Sequence, residues 1–270
     1  MNNLNPDKHY RFSPQQTNKL MLAAWAVLLM LPATIYLTAS SLFPGIALDT
    51  WLSEALYWLT STGTAPYGII TGLLILTACY RRMSKPHFLK LVLAVSISMA
   101  ATLSLNHFLK PYFAEPRPNA ALLEQEYLLN TQDFYQHSKA DKRELIGIAI
   151  QQLDVARPDL QLSASIKRHW QHEVGYAFPS GHTLFAVTLA LVVGYYLLLA
   201  GNLIMPAVLL SWAIAMGFSR MLLGMHWPQD VLASTAIGGS IAFGSIYLTQ
   251  ALWPRLSLLL PKSRLMNWIT

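Results

Sequence analysis

Between residues 182 and 219 the chain carries no Asp, Glu, Lys or Arg. That run is too long for one bilayer crossing, which takes roughly 20 mostly apolar residues as a helix. It predicts two membrane helices, over 182–200 and 203–221, with Gly201-Asn202 as the hairpin turn between them. Similar runs lie at 20–38, about 62–80, 91–109 and 231–252. Backbone polar groups inside lipid must bond within their own segment, so such a chain folds as a helical bundle. The fold expected is all-α, a polytopic membrane helical bundle with six transmembrane helices. Gly63, Pro66 and Gly68 interrupt the second run, and 51–59 reads as a separate helix at the interface. The composition agrees: 12% of residues are charged, against about 25% in soluble domains.

The formal net charge is +6, which in a soluble protein would suggest nucleic acid. Its distribution points to a membrane instead. Residues 114–175, the one sizeable polar segment, hold seven basic and nine acidic residues. The positive excess therefore lies in the termini, short loops and motifs. Basic clusters at Lys8/Arg11/Lys19, Arg81/Arg82/Lys85/Lys90 and Arg255/Lys262/Arg264 mark cytoplasmic flanks under the positive-inside rule. No nucleic-acid partner is expected. The first run is longer than a signal-peptide core of roughly 7–15 residues and lacks a small-x-small cleavage site, so it is read as a retained anchor. Six spans with the N-terminus inside put the end of the third, the start of the fourth and the junction of the fifth and sixth on the outer side.

Residues 1–270 read as one integral-membrane domain, with 114–175 as a small helical cap between spans three and four. Within the cap, 141–155 carries Leu145, Ile146, Ala149, Ile150 and Leu153 at amphipathic spacing, and a second short helix is expected over 165–173. Cys79 is the sole cysteine. It excludes an intrachain disulfide and a thiolate metal site.

Three polar clusters sit at the outer ends of the spans: Lys110-x6-Arg117-Pro118, Pro179-Ser180-Gly181-His182 and Ser219-Arg220-x5-His226-x3-Asp230. Phosphoryl transfer needs positive charge and donors around the equatorial oxygens, with nucleophile and leaving group in line. Arg117 and Arg220 offer planar forks for phosphate oxygens, and Lys110 a point charge. Snorkelling to the headgroups is the plainer account of Lys110 alone. Arg220, set among Phe218, Met221, Leu222 and Leu223, needs a partner. Ser180, Gly181 and His182 open a helix, where free N–H groups and the dipole attract an anion; Ser180 as a simple N-cap is the plainer reading. His226 and Asp230, four residues apart, place a carboxylate where it can fix the imidazole tautomer and leave the other nitrogen nucleophilic. Alternatively Asp230 only complements the helix dipole. His169 and His172 have zinc-compatible spacing, with exposed loop histidines as the alternative. No metal and no cofactor are expected.

The three clusters in this order resemble the signature of the type 2 phosphatidic acid phosphatase superfamily. The strings His169-Trp170-Gln171, 175–183 and 222–228 are similar to its phosphatidylglycerophosphatase B branch in Gram-negative bacteria. The resemblance implies that His226 attacks phosphorus, Asp230 orients it and His182 protonates the leaving oxygen. Lys110, Arg117, Ser180, Gly181 and Arg220 would hold the phosphate. It further implies action on phosphatidylglycerophosphate, undecaprenyl diphosphate, phosphatidic acid, lysophosphatidic acid and diacylglycerol diphosphate. The implied site faces the periplasm from the inner membrane, with phosphorylated membrane lipids as partners and no obligate protein partner. A dedicated undecaprenyl-diphosphate phosphatase and a lipid phosphotransferase satisfy the same residues. An anionic-lipid transporter would use the same charges, although transport sites lie nearer the midplane.

Overall fold

A computed structural model describes residues 12–259. Lys8 and Arg11 of the first basic flank, and Lys262 and Arg264 of the last, lie outside the described residues. Within them all extended regular structure is helical, and an isolated parallel bridge joins Leu48 to Leu162. Helix α1 (Pro14–Leu37) opens with a capping box in which Ser13 and Gln16 satisfy each other's backbone donors. After it come α2 (Trp51–Ser61), α3 (Tyr67–Tyr80) and α4 (Lys85–Phe113). The cap contributes α5 (Pro118–Gln125), α6 (Thr131–Phe134), α7 (Lys139–Ala156) and α8 (Ala164–His172). The chain then returns through α9 (Gly181–Leu199), α10 (Ile204–Leu222) and α11 (Pro228–Leu259).

Helix α9 is the axis of the bundle. It is apolar all round, the pattern of a helix enclosed by others, and α1, α4, α10 and α11 pack against it. From His182 to Leu199 every side chain but Phe185 is buried. Close approach of α1 to α11 depends on a small residue there: a Cβ on Gly239 would sit 2.1 Å from the Trp25 indole of α1. That indole donates to the Thr235 carbonyl at 2.9 Å. The outer faces of α1 and α3 expose Met30, Leu37, Ile70 and Leu74, as a lipid-facing belt requires.

Among the described residues five helices are long and apolar enough to cross a membrane: α1, α4, α9, α10 and α11. The run at 62–80 departs from its expected form. Its first residues, from the Thr62 C-cap of α2 onward, form a turn, so α3 keeps 14 residues. At 1.5 Å per residue this is about 21 Å, shorter than a hydrocarbon core of roughly 30 Å. The expected break at Gly63-Pro66-Gly68 is the cause, and α2 is the separate helix read at 51–59. The turn at Gly201-Asn202 lies between α9 and α10, with Gly201 at φ +83°.

The expected cap helices form as α7 and α8. Ile146, Ala149, Ile150 and Leu153 of α7 are buried against Ile166 and Trp170 of α8, while Leu145 is partly buried at the edge. This second core includes Phe43 and Leu48 from the α1–α2 connection and Leu223 and Met225 from the α10–α11 turn. Trp170 fastens the cap to that turn, donating to the Leu223 carbonyl at 3.0 Å. Gly224 sits there at φ +71°, and a Cβ would meet the Phe43 ring at 2.7 Å. Glycine is needed on both counts.

Candidate active site

The ends of α4, α9, α10 and α11 meet beneath the cap and bring all three clusters together. The α10–α11 turn is held from within, because the Met225 and His226 amides both donate to the Arg220 carbonyl, at 3.0 and 3.1 Å. It is tied to the first cluster by Trp227 Nε1 donating to the Pro116 carbonyl at 2.9 Å and by Asn119 N donating to Gly224 O at 2.9 Å. Residues more than a hundred positions apart thus share one frame.

His226 and Asp230 are buried, with Nδ1 and Oδ2 separated by 3.4 Å. The hydrogen bond expected from their spacing is not closed. Asp230 Oδ2 accepts instead from the Trp227 amide at 2.9 Å. The first donors of a helix have no intrahelical acceptor, and Asp230, at the third position of α11, reaches back to one of them. Neither imidazole nitrogen of His226 has a hydrogen-bond partner. Burial, and then the charges of Arg117, Arg220 and Lys110, hold its pKa well below the ordinary histidine value. The ring is therefore neutral, as a nucleophile must be.

Arg220 is fully enclosed and Arg117 nearly so. Arg117 Nε donates to the Gly175 carbonyl at 2.7 Å, and its Nη1 to Glu173 Oε2 at 3.0 Å. Arg220 Nη2 reaches the same oxygen at 2.7 Å, while its Nη1 bonds Thr60 Oγ1 at 2.8 Å and His169 Nε2 at 3.0 Å. Arg220 Nε has no partner. Lys110 does not snorkel outward; its ammonium donates to the Tyr176 carbonyl at 2.8 Å and lines the central cavity.

Ser180 is the N-cap of α9, its hydroxyl accepting from Thr183 N at 3.4 Å. Its own amide is engaged by Ser234 Oγ at 2.8 Å. Ser180 thus supports the helix start, and the first-turn amides of Gly181 and His182 are left for an anion. A Cβ on Gly181 would come within 3.4 Å of Asn106. His182 faces the cavity with Nε2 at 3.4 Å from Glu173 Oε1.

Two residues inside the site stand outside the three clusters. Glu173, just past α8, touches Arg117, Arg220 and His182. Burial alone would raise its pKa, but the charges around it, Arg220 foremost, hold it well below the carboxylate range. His169 is no exposed loop residue: it is buried, edge-on to Tyr57 at 5.6 Å. His172 is exposed, and among the described residues no three His, Cys, Asp or Glu side chains converge. The signal available in sequence was the i, i+4 spacing of His169 and Glu173. Glu115 accepts from Gln229 Nε2 at 2.9 Å and lies beside Asp230.

A cavity of about 990 Å³ leads to these groups. Leu73, Leu76, Val95, Met99 and Leu103 of α3 and α4 line its apolar part; Lys110, Arg117, His182 and His226 line its polar end. The arrangement can hold an anion beside a neutral imidazole, with a second imidazole on hand for proton transfer.

Comparison with known proteins gives the same direction. The PAP2 superfamily matches residues 89–254. Phosphatidylglycerophosphatase B of Escherichia coli (strain K12) is 32% identical over 229 residues, covering 83% of this chain and 86% of that protein. The protein of the same name from Haemophilus influenzae is 35% identical over 199 residues, covering 70% and 80%. An undecaprenyl-diphosphatase from Sulfolobus acidocaldarius is 39% identical over 77 residues, covering 27% and 34%.

Proposed function

Because this chain belongs to the PAP2 superfamily and is a membrane lipid phosphatase, we propose that it hydrolyses phosphatidylglycerophosphate to phosphatidylglycerol through a phosphohistidine at His226. Undecaprenyl diphosphate, phosphatidic acid, lysophosphatidic acid and diacylglycerol diphosphate are further substrates. The observation that carries this reading is the convergence of a buried neutral His226 with Arg117, Lys110 and His182 at the polar end of an apolar cavity, with Arg220 enclosed behind them against Glu173.

In the first step Nε2 of His226 forms a bond to phosphorus as the ester P–O bond breaks, and His182 gives its proton to the departing oxygen. Asp230, 3.4 Å from Nδ1, closes a hydrogen bond to the Nδ1 proton as the ring turns cationic and balances the charge that the ring gains. Water then attacks phosphorus, His182 takes its proton and the N–P bond breaks, releasing inorganic phosphate. Arg117, Arg220, Lys110 and the amides at the start of α9 receive the oxygen charge that builds in each transition state. No metal takes part. Recognition concentrates at the phosphate, so lipids that differ elsewhere are accepted.

The site opens to the periplasm from the inner membrane. What supports this is its place at one end of the bundle, while Arg81, Arg82 and Lys85 mark the turn between α3 and α4 at the opposite end. The chain is one membrane domain, 114–175 forms its periplasmic cap, and no obligate protein partner is needed.

The test is phosphate release by detergent-purified protein, with chelator present, from phosphatidylglycerophosphate and undecaprenyl diphosphate. Release from both by the wild type and from neither by His226→Ala is the expected result. Release from neither by the wild type overturns the reading, as does activity retained in the variant. Transfer of phosphate to an added lipid alcohol in place of water would favour a phosphotransferase.

A further inference from the structure

We propose that His169 of the cap is a positioning residue for phosphoryl transfer: its Nε2 lone pair orients the Arg220 guanidinium, so that the cap completes the phosphate site. The inference rests on the phosphatase reading above and adds to it a residue outside the three clusters.

The argument starts from the isolation of Arg220. Its side chain is 0% exposed, so the direction of its fork is set by protein acceptors. Three are present. Thr60 of α2 and His169 of α8 both take Nη1, and Glu173 takes Nη2, leaving Nε with no partner. Two of the three belong to the cap, four residues apart in sequence. Thr60 and Glu173 cannot replace His169. A hydroxyl rotates to suit its neighbours, and the Glu173 oxygen that holds Arg220 also holds Arg117. The imidazole, by contrast, is a rigid plane buried at 7% exposure and set edge-on against Tyr57 of α2. Trp170, the next residue, is fastened to the Leu223 carbonyl just beyond Arg220. Acceptor and acceptor-bearing helix are thus both fixed relative to α10.

An imidazole nitrogen that accepts from a guanidinium must be unprotonated, which puts the ring proton on Nδ1. The groups around His169 enforce this. Burial, and the charges of Arg220, Arg117 and His172, oppose protonation, while Glu173 favours it; the balance holds the pKa down at about 3. His182 is the other titratable neighbour. His169 therefore stays an acceptor throughout the working pH range and takes no proton from the reaction.

The test measures phosphate release from phosphatidic acid and the affinity for orthovanadate in detergent-purified His169→Ala, His169→Phe and His169→Gln. Both are measured in the wild-type and Arg220→Lys backgrounds. Displacing a charge-stabilising group by about 1 Å costs on the order of 10²-fold in rate. That loss, with weaker vanadate binding, is expected for Ala and Phe, whereas Gln, which keeps an acceptor, should remain within several-fold of wild type. In the Arg220→Lys background His169→Ala should add little, because residues acting through one another are not additive. Near wild-type behaviour of Ala and Phe, failure of Gln to rescue, or a full multiplicative loss on Arg220→Lys would overturn the proposal. A wild type that releases no phosphate would sink the phosphatase reading instead, and the vanadate affinities would still decide whether His169 orients Arg220.

Discussion

The carboxylate of Glu173 lies against both arginines at the place where phosphate oxygens would bind. A carboxylate and a phosphate there are like charges in a largely buried site, where repulsion is less screened than in bulk water. Glu173→Gln keeps the hydrogen-bond acceptor and removes the charge, so we predict tighter inhibition by orthovanadate, several-fold or more. Unchanged or weaker inhibition would mean that the carboxylate does not compete with phosphate. Arg220→Lys keeps a charge and loses the fork; losing one such donor typically costs about 10²–10³ in kcat, and activity near wild type would contradict its assigned place. The three clusters were legible because phosphate chemistry calls for particular residue types at the ends of apolar runs. His169 and Glu173 were not, because the cap brings them to the arginines through tertiary packing. The tautomer-fixing bond from His226 to Asp230 was read from spacing alone, which could not foresee that the Trp227 amide claims the same carboxylate oxygen.

At the scale of elements, the cap does more than shape access to the site. His169, Glu173 and Trp170 lie in α8 or just beyond it, so the segment 114–175 also contributes side chains to the proposed phosphate site. Exchanging the cap for one that lacks these three residues should reduce turnover on every substrate, and exchange with all three retained should preserve it. A changed substrate ratio with undiminished total activity would contradict this. Trp170→Ala removes the packing and the bond to Leu223; large-to-small changes of this kind cost about 3–5 kcal/mol, readable as a fall in melting temperature. The cap also sets a pH dependence of stability. His169 titrates near 6.5 when unfolded and at about 3 when folded. Between those values the unfolded state binds more protons, so stability rises with pH across that window and falls on acidification from pH 7. Melting temperatures of His169→Gln should fall less steeply over the same range; equal slopes would remove His169 as the cause. Helices α7 and α8 were legible from amphipathic spacing. The short helices α5 and α6 were not, since each offers too few residues for a periodic pattern, although Pro118 at the first position of α5 and Asn130 capping α6 are start signals in hindsight.

For the molecule as a whole, the bundle gathers four helix ends at one level, holds an apolar cavity between α3 and α4 beside them, and closes the site with the cap. Class and most spans were readable because lipid imposes a length and an apolar composition. The length of α3 was the weak point, since composition continued through a stretch where Gly63, Pro66 and Gly68 break the helix. The central claim is that His226 carries the phosphoryl group. Rapid mixing with lipid labelled in the terminal phosphate, quenched in alkali to preserve an N–P bond, tests it most directly. The account predicts label on the peptide containing His226 that appears before inorganic phosphate, persists in alkali, is lost in acid and is absent from His226→Ala. Label on another residue, or label at the same site in the variant, would contradict it.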